Sequence, residues 1–213
     1  HEHDLEREPM IVHDALAHRG KAARSETRDG QPQRLQERAQ RFHAEEQAHG
    51  RENHRGDKDH AHADLRSDYL GAELSHACVM RRVHDLTGDG RIHQFCIRSG
   101  DRSEFQFAKK HTDMNLFNLN GLEDLTENLK KTNTPVYLTI DLDCLDPSVF
   151  PGTGTPEAGG ITFMQLLGAI FKVCETKVVG ADINELSPNL DNSGVSTATA
   201  CKILRELILA LSK

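Results

Sequence analysis

The chain has 213 residues, of which 37% are hydrophobic and 28% charged, and its formal net charge is −7. These values fit one domain with an appendage, and the short charge runs exclude the basic surface of a nucleic-acid-binding protein. No apolar run is long enough to span a bilayer, and residues 1–10 are too polar and acidic for a signal peptide. The five cysteines are odd in number and form no CxxC pair, which argues against a disulfide framework or a zinc knuckle. We therefore expect a cytoplasmic protein with neither a membrane nor a nucleic-acid partner.

Residues 1–60 form an atypical polar segment. They hold eight of the thirteen histidines and nine arginines, whereas Phe42 is their only aromatic residue. Such a segment buries too little apolar surface to offset its ordering entropy. We expect it to be disordered or loosely helical, with no strand before His62, and we expect residues 61–213 to form the folded domain.

Strand patterns alternate with helical patterns along the rest of the chain. The strands are predicted at Ile92–Ile97, Val136–Leu142 and Lys177–Ile183. The helices are predicted at Gly121–Lys131, at Phe163–Glu175 after a Thr162 N-cap, and at Ser196–Leu211. The strands at Val136 and Lys177 are nearly continuously apolar, which is typical of burial on both faces. This alternation predicts an α/β fold with a mainly parallel sheet.

Two acidic residues follow the strand that begins at Val136. Because successive side chains of a strand point to opposite faces, Asp141 and Asp143 project to the same side at its carboxyl end, where open α/β sheets bind ligands. Two such carboxylates beside an apolar core repel each other unless a cation or a proton compensates, and a hard divalent metal is the natural compensator. The alternative is that one aspartate caps the following turn and the other is solvated.

The acidic strand end continues into a loop rich in glycine and proline, and the whole stretch reads TIDLDCLDPSVFPGTGTPEAGG over residues 139–160. This stretch resembles the signature of the ureohydrolase family, the arginases and agmatinases. Three further stretches resemble the family in order and spacing: HADLR at 62–66, SHACVMRR at 75–82 and GADINELSP at 180–188. The resemblance covers residues 62–213 and is greatest to bacterial agmatinases. It implies an arginase-like three-layer sandwich with a mainly parallel sheet, incomplete at its amino-terminal end.

The resemblance also implies a metal centre. In the family, the residue at Asp141 bridges two Mn²⁺ ions, those at Asp143 and His62 bind one of them, and that at Asp64 binds the other. A hydroxide shared by the two ions attacks the guanidinium carbon of the substrate. Taken alone, His62 is more simply a core or surface histidine, but Asp64 two residues later and the Asp141/Asp143 pair favour the ligand role.

Two residues would complete the catalytic site by the same resemblance. Glu185 would hold the guanidinium group by paired charged hydrogen bonds, and His76 would pass a proton to the leaving amine. Alternatively, His76 bonds a backbone group and Glu185 pairs with Arg98 or Arg205. The implied reaction converts a small guanidino compound, agmatine above all, to urea and putrescine. Family members assemble as trimers or hexamers, so a homo-oligomer is expected.

Part of the family pattern is missing upstream. The metal motif that should read Asp-Ala-His-Ala-Asp begins with His60, and Asp59 is one residue out of phase. The family's first ligand, a histidine in a Gly-Gly-acid-His turn, has no counterpart. We hypothesise that residues 1–60 reflect a reading-frame error or other corruption of the coding sequence.

Three readings of function follow. The first is an active agmatinase-type hydrolase, with guanidinobutyrate or arginine as alternative substrates. The second is a metal-binding relative with an incomplete binuclear site and impaired catalysis. The third takes Asp141-Leu142-Asp143 as an aspartyl-phosphate phosphatase motif, which the following Cys144-Leu145 does not fit.

Overall fold

The computed structural model describes residues 10–14 and 62–212, which belong to one compact unit. Its centre is a five-stranded sheet in the order β3-β2-β1-β4-β5, with every neighbouring pair parallel. The strands are β1 (Met10–Asp14), β2 (Ile92–Ile97), β3 (Asp113–Leu116), β4 (Pro135–Asp141) and β5 (Lys177–Asn184). Parallel strands need crossover connections, which the helices provide.

The helices alternate with the strands after β1. They are α1 (Val79–Thr87), α2 (Arg102–His111), α3 (Leu122–Thr132), α4 (Phe163–Val173) and α5 (Val195–Leu211). Short 3-10 turns lie at His76–Cys78, Leu142–Cys144 and Pro188–Leu190. Capping boxes begin α2 at Asp101 and α4 at Thr162, so the predicted Thr162 cap is confirmed.

Strand β1 corrects the prediction that no strand precedes His62. It runs from Met10 opposite Val136 to Asp14 opposite Ile140, and it pairs with β2 on its other side. Its Met-Ile-Val run favours the extended conformation. The backbone N–H and C=O groups of β2 and β4 that face each other across the sheet need hydrogen-bond partners. A strand of only five residues between them supplies these partners. The rest of the polar segment 1–60 lies outside the described residues.

Two hydrophobic clusters cover the two faces of the sheet. One joins β4 to α3, α4 and α5, and the other joins the segment after His62 to α1 and α2. Strand β2 contributes Phe95 and Cys96 to the first cluster and Ile92 and Ile97 to the second. The left-handed φ of 61° at Cys96 interrupts the usual alternation of faces. Helices therefore lie on both faces, and the predicted three-layer α/β sandwich with a parallel sheet is confirmed.

The two strands predicted to be buried differ in their surroundings. Leu138 and Ile140 in β4 are buried, as expected for an inner strand. In contrast, β5 pairs with β4 alone among the described strands, and Val179 is 58% exposed. The predicted strand at Lys177–Ile183 is therefore present, one residue longer than expected, but the prediction that it is buried was wrong. No described helix is long and apolar enough to cross a membrane.

Candidate functional site

The acidic pair lies where β4 gives way to a 3-10 turn. The Oδ1 atom of Asp141 accepts a hydrogen bond of 2.6 Å from the backbone N–H of Asp143, which caps the turn. Asp143 is nevertheless only 2% exposed. The alternative in which one aspartate caps the turn is thus correct for Asp141, but the other aspartate is buried and not solvated.

The loop after the turn holds Asp143 through two threonines. Thr153 donates a hydrogen bond to its Oδ1 atom, and Thr155 donates to Oδ2 at 2.8 Å. Arg98, just after β2, donates to the carbonyl oxygens of Asp143 at 2.6 Å and of Glu157 at 3.2 Å. These contacts fix both the carboxylate and the loop that faces it.

A second acidic position lies in the segment after His62. His62 is buried and forms a parallel bridge with Ser99, which follows β2. Asp64 is fully buried with a left-handed φ of 53°, and neither carboxylate oxygen has a hydrogen-bond partner among the described residues. Around it, Leu65 N–H donates to Glu104 Oε1 at 2.9 Å and Gln94 Nε2 donates to the Ala63 carbonyl at 2.8 Å.

Glu185 follows the last residue of β5 and has a φ of 69°. Two residues later, Ser187 N–H donates to the carbonyl of Gly152 at 2.8 Å. Glu185 is therefore anchored beside the loop that holds Asp143. Arg98 and Arg205, proposed as its ion-pair partners, bond backbone carbonyls and Glu206 respectively.

Burial and mutual repulsion raise the pKa values of two of these carboxyl groups. The pKa of Asp64 lies well above 3.8, first because of burial and then because of the charges of Glu104, Glu185 and Asp143. Burial likewise raises the pKa of Asp141, with further contributions from Asp143 and Glu185. The structure thus brings Asp64, Asp141, Asp143 and Glu185 close enough to act on one another.

This acidic group fits divalent cations. Both Asp64 oxygens and Asp141 Oδ2 are buried without a hydrogen-bond partner among the described residues, and such groups are costly unless a cation or a proton compensates them. No three of the predicted ligand atoms lie within 4.8 Å of one another, however. Within the described part of the chain, three or more such atoms gather that closely at His84, Asp89 and His111 alone.

His76, the predicted proton donor, is linked to the segment of Asp64 through a backbone hydrogen bond of its neighbour. His76 begins the turn that precedes α1, and its ring contacts Tyr69 edge-on at a centroid distance of 5.4 Å. The next residue, Ala77, accepts a hydrogen bond of 3.2 Å from Arg66 N–H, two residues after Asp64. His60 and Asp59 lie outside the described residues.

Sequence reasoning missed the residues that support the ligands. Thr153 and Thr155 lie in the quoted loop, but their contact with Asp143 spans ten and twelve residues. Arg98 was considered only as an ion-pair partner, and Glu104 carried no signal beyond its place three residues after the Asp101 cap. That spacing is typical of a capping box, so the cap could have been found, although the contact with Leu65 could not.

Known proteins resemble this chain in both sequence and fold. The model of the arginase family matches residues 60–210. An agmatinase of Bacillus cereus is 46% identical over 156 residues, covering 72% of this chain and 53% of that protein. The N(1)-aminopropylagmatine ureohydrolase of Thermococcus kodakarensis is 40% identical over 159 residues, covering 72% and 53%. A crystal structure of a candidate agmatinase from Clostridium difficile superposes with a TM-score of 0.67 at 48% identity, covering 71% of this chain and 55% of that one. The chain spans about half the length of the curated relatives that it matches.

Proposed function

The chain belongs to the arginase family, and on that premise we propose that it hydrolyses a guanidino compound, most specifically agmatine, to urea and an amine, which for agmatine is putrescine. The observation that carries the proposal is the buried carboxylate oxygens of Asp64 and Asp141, which lack hydrogen-bond partners among the described residues. Such a group suits hard divalent cations, and we propose Mn²⁺, two per chain.

Four residues would hold the cations: His62, Asp64, Asp141 and Asp143. Bound cations would supply a nucleophile at neutral pH by lowering the pKa of water. The protein keeps the ligands in place, since Thr153 and Thr155 fix the Asp143 carboxylate. Burial removes competing water from around Asp64 and Asp141, which strengthens every charge interaction there.

Two further residues would act on the substrate. Glu185 lies within electrostatic reach of Asp64 and Asp141, so its carboxylate could hold a guanidinium group beside them by two charged hydrogen bonds. His76 would give a proton to the leaving amine. Its place before α1, tied by Ala77 to the segment of Asp64, supports that role.

A specific observation supports a second candidate, a metal-binding relative with impaired turnover. No three of the predicted ligand atoms lie within 4.8 Å of one another in the described part of the chain, and His60 stands where the family pattern has a bridging aspartate. In this reading the carboxylates bind fewer cations and the chain releases no urea.

Urea release from a panel of guanidino compounds with added Mn²⁺ distinguishes the two candidates. The panel contains agmatine, N1-aminopropylagmatine, guanidinobutyrate and arginine. We expect urea from agmatine in preference to the others, and none after Mn²⁺ is removed with a chelator. If the chain binds Mn²⁺ but releases no urea from any compound, the second candidate is correct.

We also propose a cytoplasmic location and self-association. The five cysteines are odd in number, widely spaced and form no CxxC pair, a usage that suits a reducing compartment. Helix α5 exposes Leu204, Ile208 and Leu209 at about half of their surface or more, and such apolar faces are typical of subunit interfaces. A trimer or hexamer would be measured by light scattering at several concentrations.

A further inference from the structure

A second group of ligand-type side chains lies away from the acidic site, at the ends of α1 and α2. The Nε2 atom of His84 is 2.8 Å from Asp89 Oδ1, and the Nδ1 atom of His111 is 2.7 Å from the same oxygen. One ligand atom from each of the three residues lies within 4.8 Å of the other two. We call this group the His84 cluster.

The fold holds the three side chains in place before any ligand binds. Asp89 lies between Gly88 and Gly90, whose φ values of 79° and 67° make a tight turn that few other residues could form. Gly90 N–H donates to the His111 carbonyl at 3.0 Å, which fixes the turn against the end of α2. The cluster therefore connects helix α1 to the end of helix α2.

A phenylalanine orients both imidazoles. The Phe107 ring meets His84 edge-on at a centroid distance of 4.8 Å and stacks on His111 at 4.3 Å. The guanidinium carbon of Arg81 also lies close to it, 3.9 Å from the ring centroid. Restricted rings lose little rotational freedom when they coordinate an ion, so less of the binding free energy is lost to ordering.

We propose that His84, Asp89 and His111 form a metal site for a borderline divalent cation such as Zn²⁺. Two imidazole nitrogens and one carboxylate oxygen are a ligand set that zinc uses with a fourth position left to water. Mn²⁺ prefers oxygen ligands, so the cluster and the acidic site differ in the metals that they favour. The Asp89 side chain is 67% exposed, which leaves a path for the ion.

Binding would rearrange protons within the cluster without oxidation or reduction. Because an ionised carboxylate oxygen only accepts, each ring nitrogen that faces Asp89 carries the proton in the tautomer that forms these hydrogen bonds. The cation takes the place of those two protons, and each neutral imidazole then carries its proton on its other nitrogen. For His84 that nitrogen is Nδ1, a buried atom with no hydrogen-bond partner among the described residues, 3.8 Å from Asp85 Oδ1.

The test measures Zn²⁺ binding to the full chain after it has been saturated with Mn²⁺, by calorimetric titration. The variants are Asp89→Asn and His111→Gln, and the matched control is Asp113→Asn. Asp113 is also an exposed aspartate bonded to a histidine, His93, at 3.0 Å, but it lies outside the cluster. We expect the wild type and the control to bind one Zn²⁺ more tightly than either cluster variant, by at least about tenfold.

A variant that is less stable can still be tested, because the change in its Tm on adding Zn²⁺ is compared with its own Tm without Zn²⁺. We expect Zn²⁺ to raise the Tm of the wild type and of Asp113→Asn, and to leave that of Asp89→Asn unchanged. Equal Zn²⁺ affinity, or an equal rise in Tm, in the wild type and Asp89→Asn would overturn the proposal. The cluster would then serve only to connect α1 and α2 by hydrogen bonds. Neither measurement depends on urea release, so it stands apart from the proposed catalytic function.

Discussion

Asp64 and Glu185 share a left-handed backbone conformation, with φ values of 53° and 69°. Residues with a side chain adopt it rarely, at a cost of about 1–3 kcal/mol in strained cases, and it concentrates at functional sites. Tertiary bonds lie at or near both residues: Arg81 N–H donates to the Asp64 carbonyl at 3.2 Å, and, two residues after Glu185, Ser187 N–H donates to the Gly152 carbonyl at 2.8 Å. Leu70, Cys96, Phe117 and Asn133 also have a positive φ, so at Asp64 and Glu185 this conformation fixes the position of the carboxylate without by itself marking the site.

The two threonines that bond Asp143 support a first prediction. Replacing Thr153 or Thr155 by Val removes a hydrogen bond that orients the carboxylate, and we expect Mn²⁺ affinity to fall by about 10–100-fold. Thr87→Val is the control, because Thr87 donates to a carbonyl of its own helix, Val83, at 3.0 Å. Unchanged Mn²⁺ affinity in both site variants, measured by equilibrium dialysis, would show that the threonines do not support a ligand.

The raised pKa of Asp141 leads to a prediction about pH and stability. In the chelator-treated protein, the folded state favours the protonated carboxyl, so the stabilisation that this group contributes is fully present below its unfolded pKa near 3.8. That contribution is lost as the pH rises through the folded-state pKa. Asp141→Asn cannot ionise, so its Tm relative to the wild type should increase as the pH rises from the acid range toward neutrality.

With Mn²⁺ added, we expect the wild type to have a higher Tm than Asp141→Asn. Cations bind the ionised carboxylate, so their stabilisation of the wild type grows with pH, and Asp141→Asn does not share it. Thermal unfolding of both proteins in chelator and in Mn²⁺ gives the comparison. A difference in Tm between them that does not vary with pH in chelator would contradict the raised pKa of Asp141.

At the scale of elements, the loop that carries the threonines returns to pair with the end of β4. Ile161 N–H donates to the Cys144 carbonyl at 2.9 Å, and Asp146 N–H donates to the Ile161 carbonyl at 3.1 Å. Gly160 permits this approach, since a Cβ there would lie 2.4 Å from Asp146 N. The loop is thus closed on the strand end, which places Thr153 and Thr155 against Asp143.

A glycine pair in this loop supplies the element-scale prediction. Gly160→Ala should reduce the free energy of unfolding by about 1–3 kcal/mol, because backbone atoms must move to admit the methyl group. Gly154→Ala, where nothing lies within 4 Å of the added atom, should change it by less than about 0.5 kcal/mol. Chemical denaturation of both variants measures the difference, and equal stabilities would refute the close approach.

The sequence predicted the strongly patterned elements and missed the weakly patterned ones. The strand at Ile92–Ile97 and the helices that became α3, α4 and α5 were confirmed, with ends that differ by no more than two residues. Helices α1 and α2 and strand β3 were not predicted. Both helices are rich in charged residues and histidine, and each is held by tertiary contacts such as the packing of Met80 and Ala108 in the second cluster. Such contacts leave little periodic signal in the sequence.

At the scale of the whole molecule, the sheet order explains why the site could be predicted only in part. The carboxyl ends of β4 and β5 are adjacent in the sheet, so Asp141 and Glu185 meet there despite their separation in sequence. A mainly parallel sheet was predicted, but strand order is set by crossovers that the sequence does not encode locally. The placement of β1 between β2 and β4 was missed for a simpler reason, since no strand was expected in the polar segment before His62.

The chain also spans about half the length of the relatives that it matches, and residues 60–210 carry the family match. The acidic group lies entirely within that stretch. Its supports, Arg98, Glu104 and the two threonines, come from different elements of the sandwich. The site therefore depends on the assembled fold rather than on any one motif, and this fold brings together buried carboxylates suited to a cation.

Mn²⁺ binding, followed through the loss of the electron paramagnetic resonance signal of the free ion, tests this centre most directly. The wild type should bind Mn²⁺, and Asp141→Asn should bind it at least about tenfold more weakly. The control Asp124→Asn, which removes an exposed carboxylate from α3, should bind as the wild type does. Equal Mn²⁺ binding by the wild type and Asp141→Asn would contradict the assignment of a metal centre to the carboxyl end of β4.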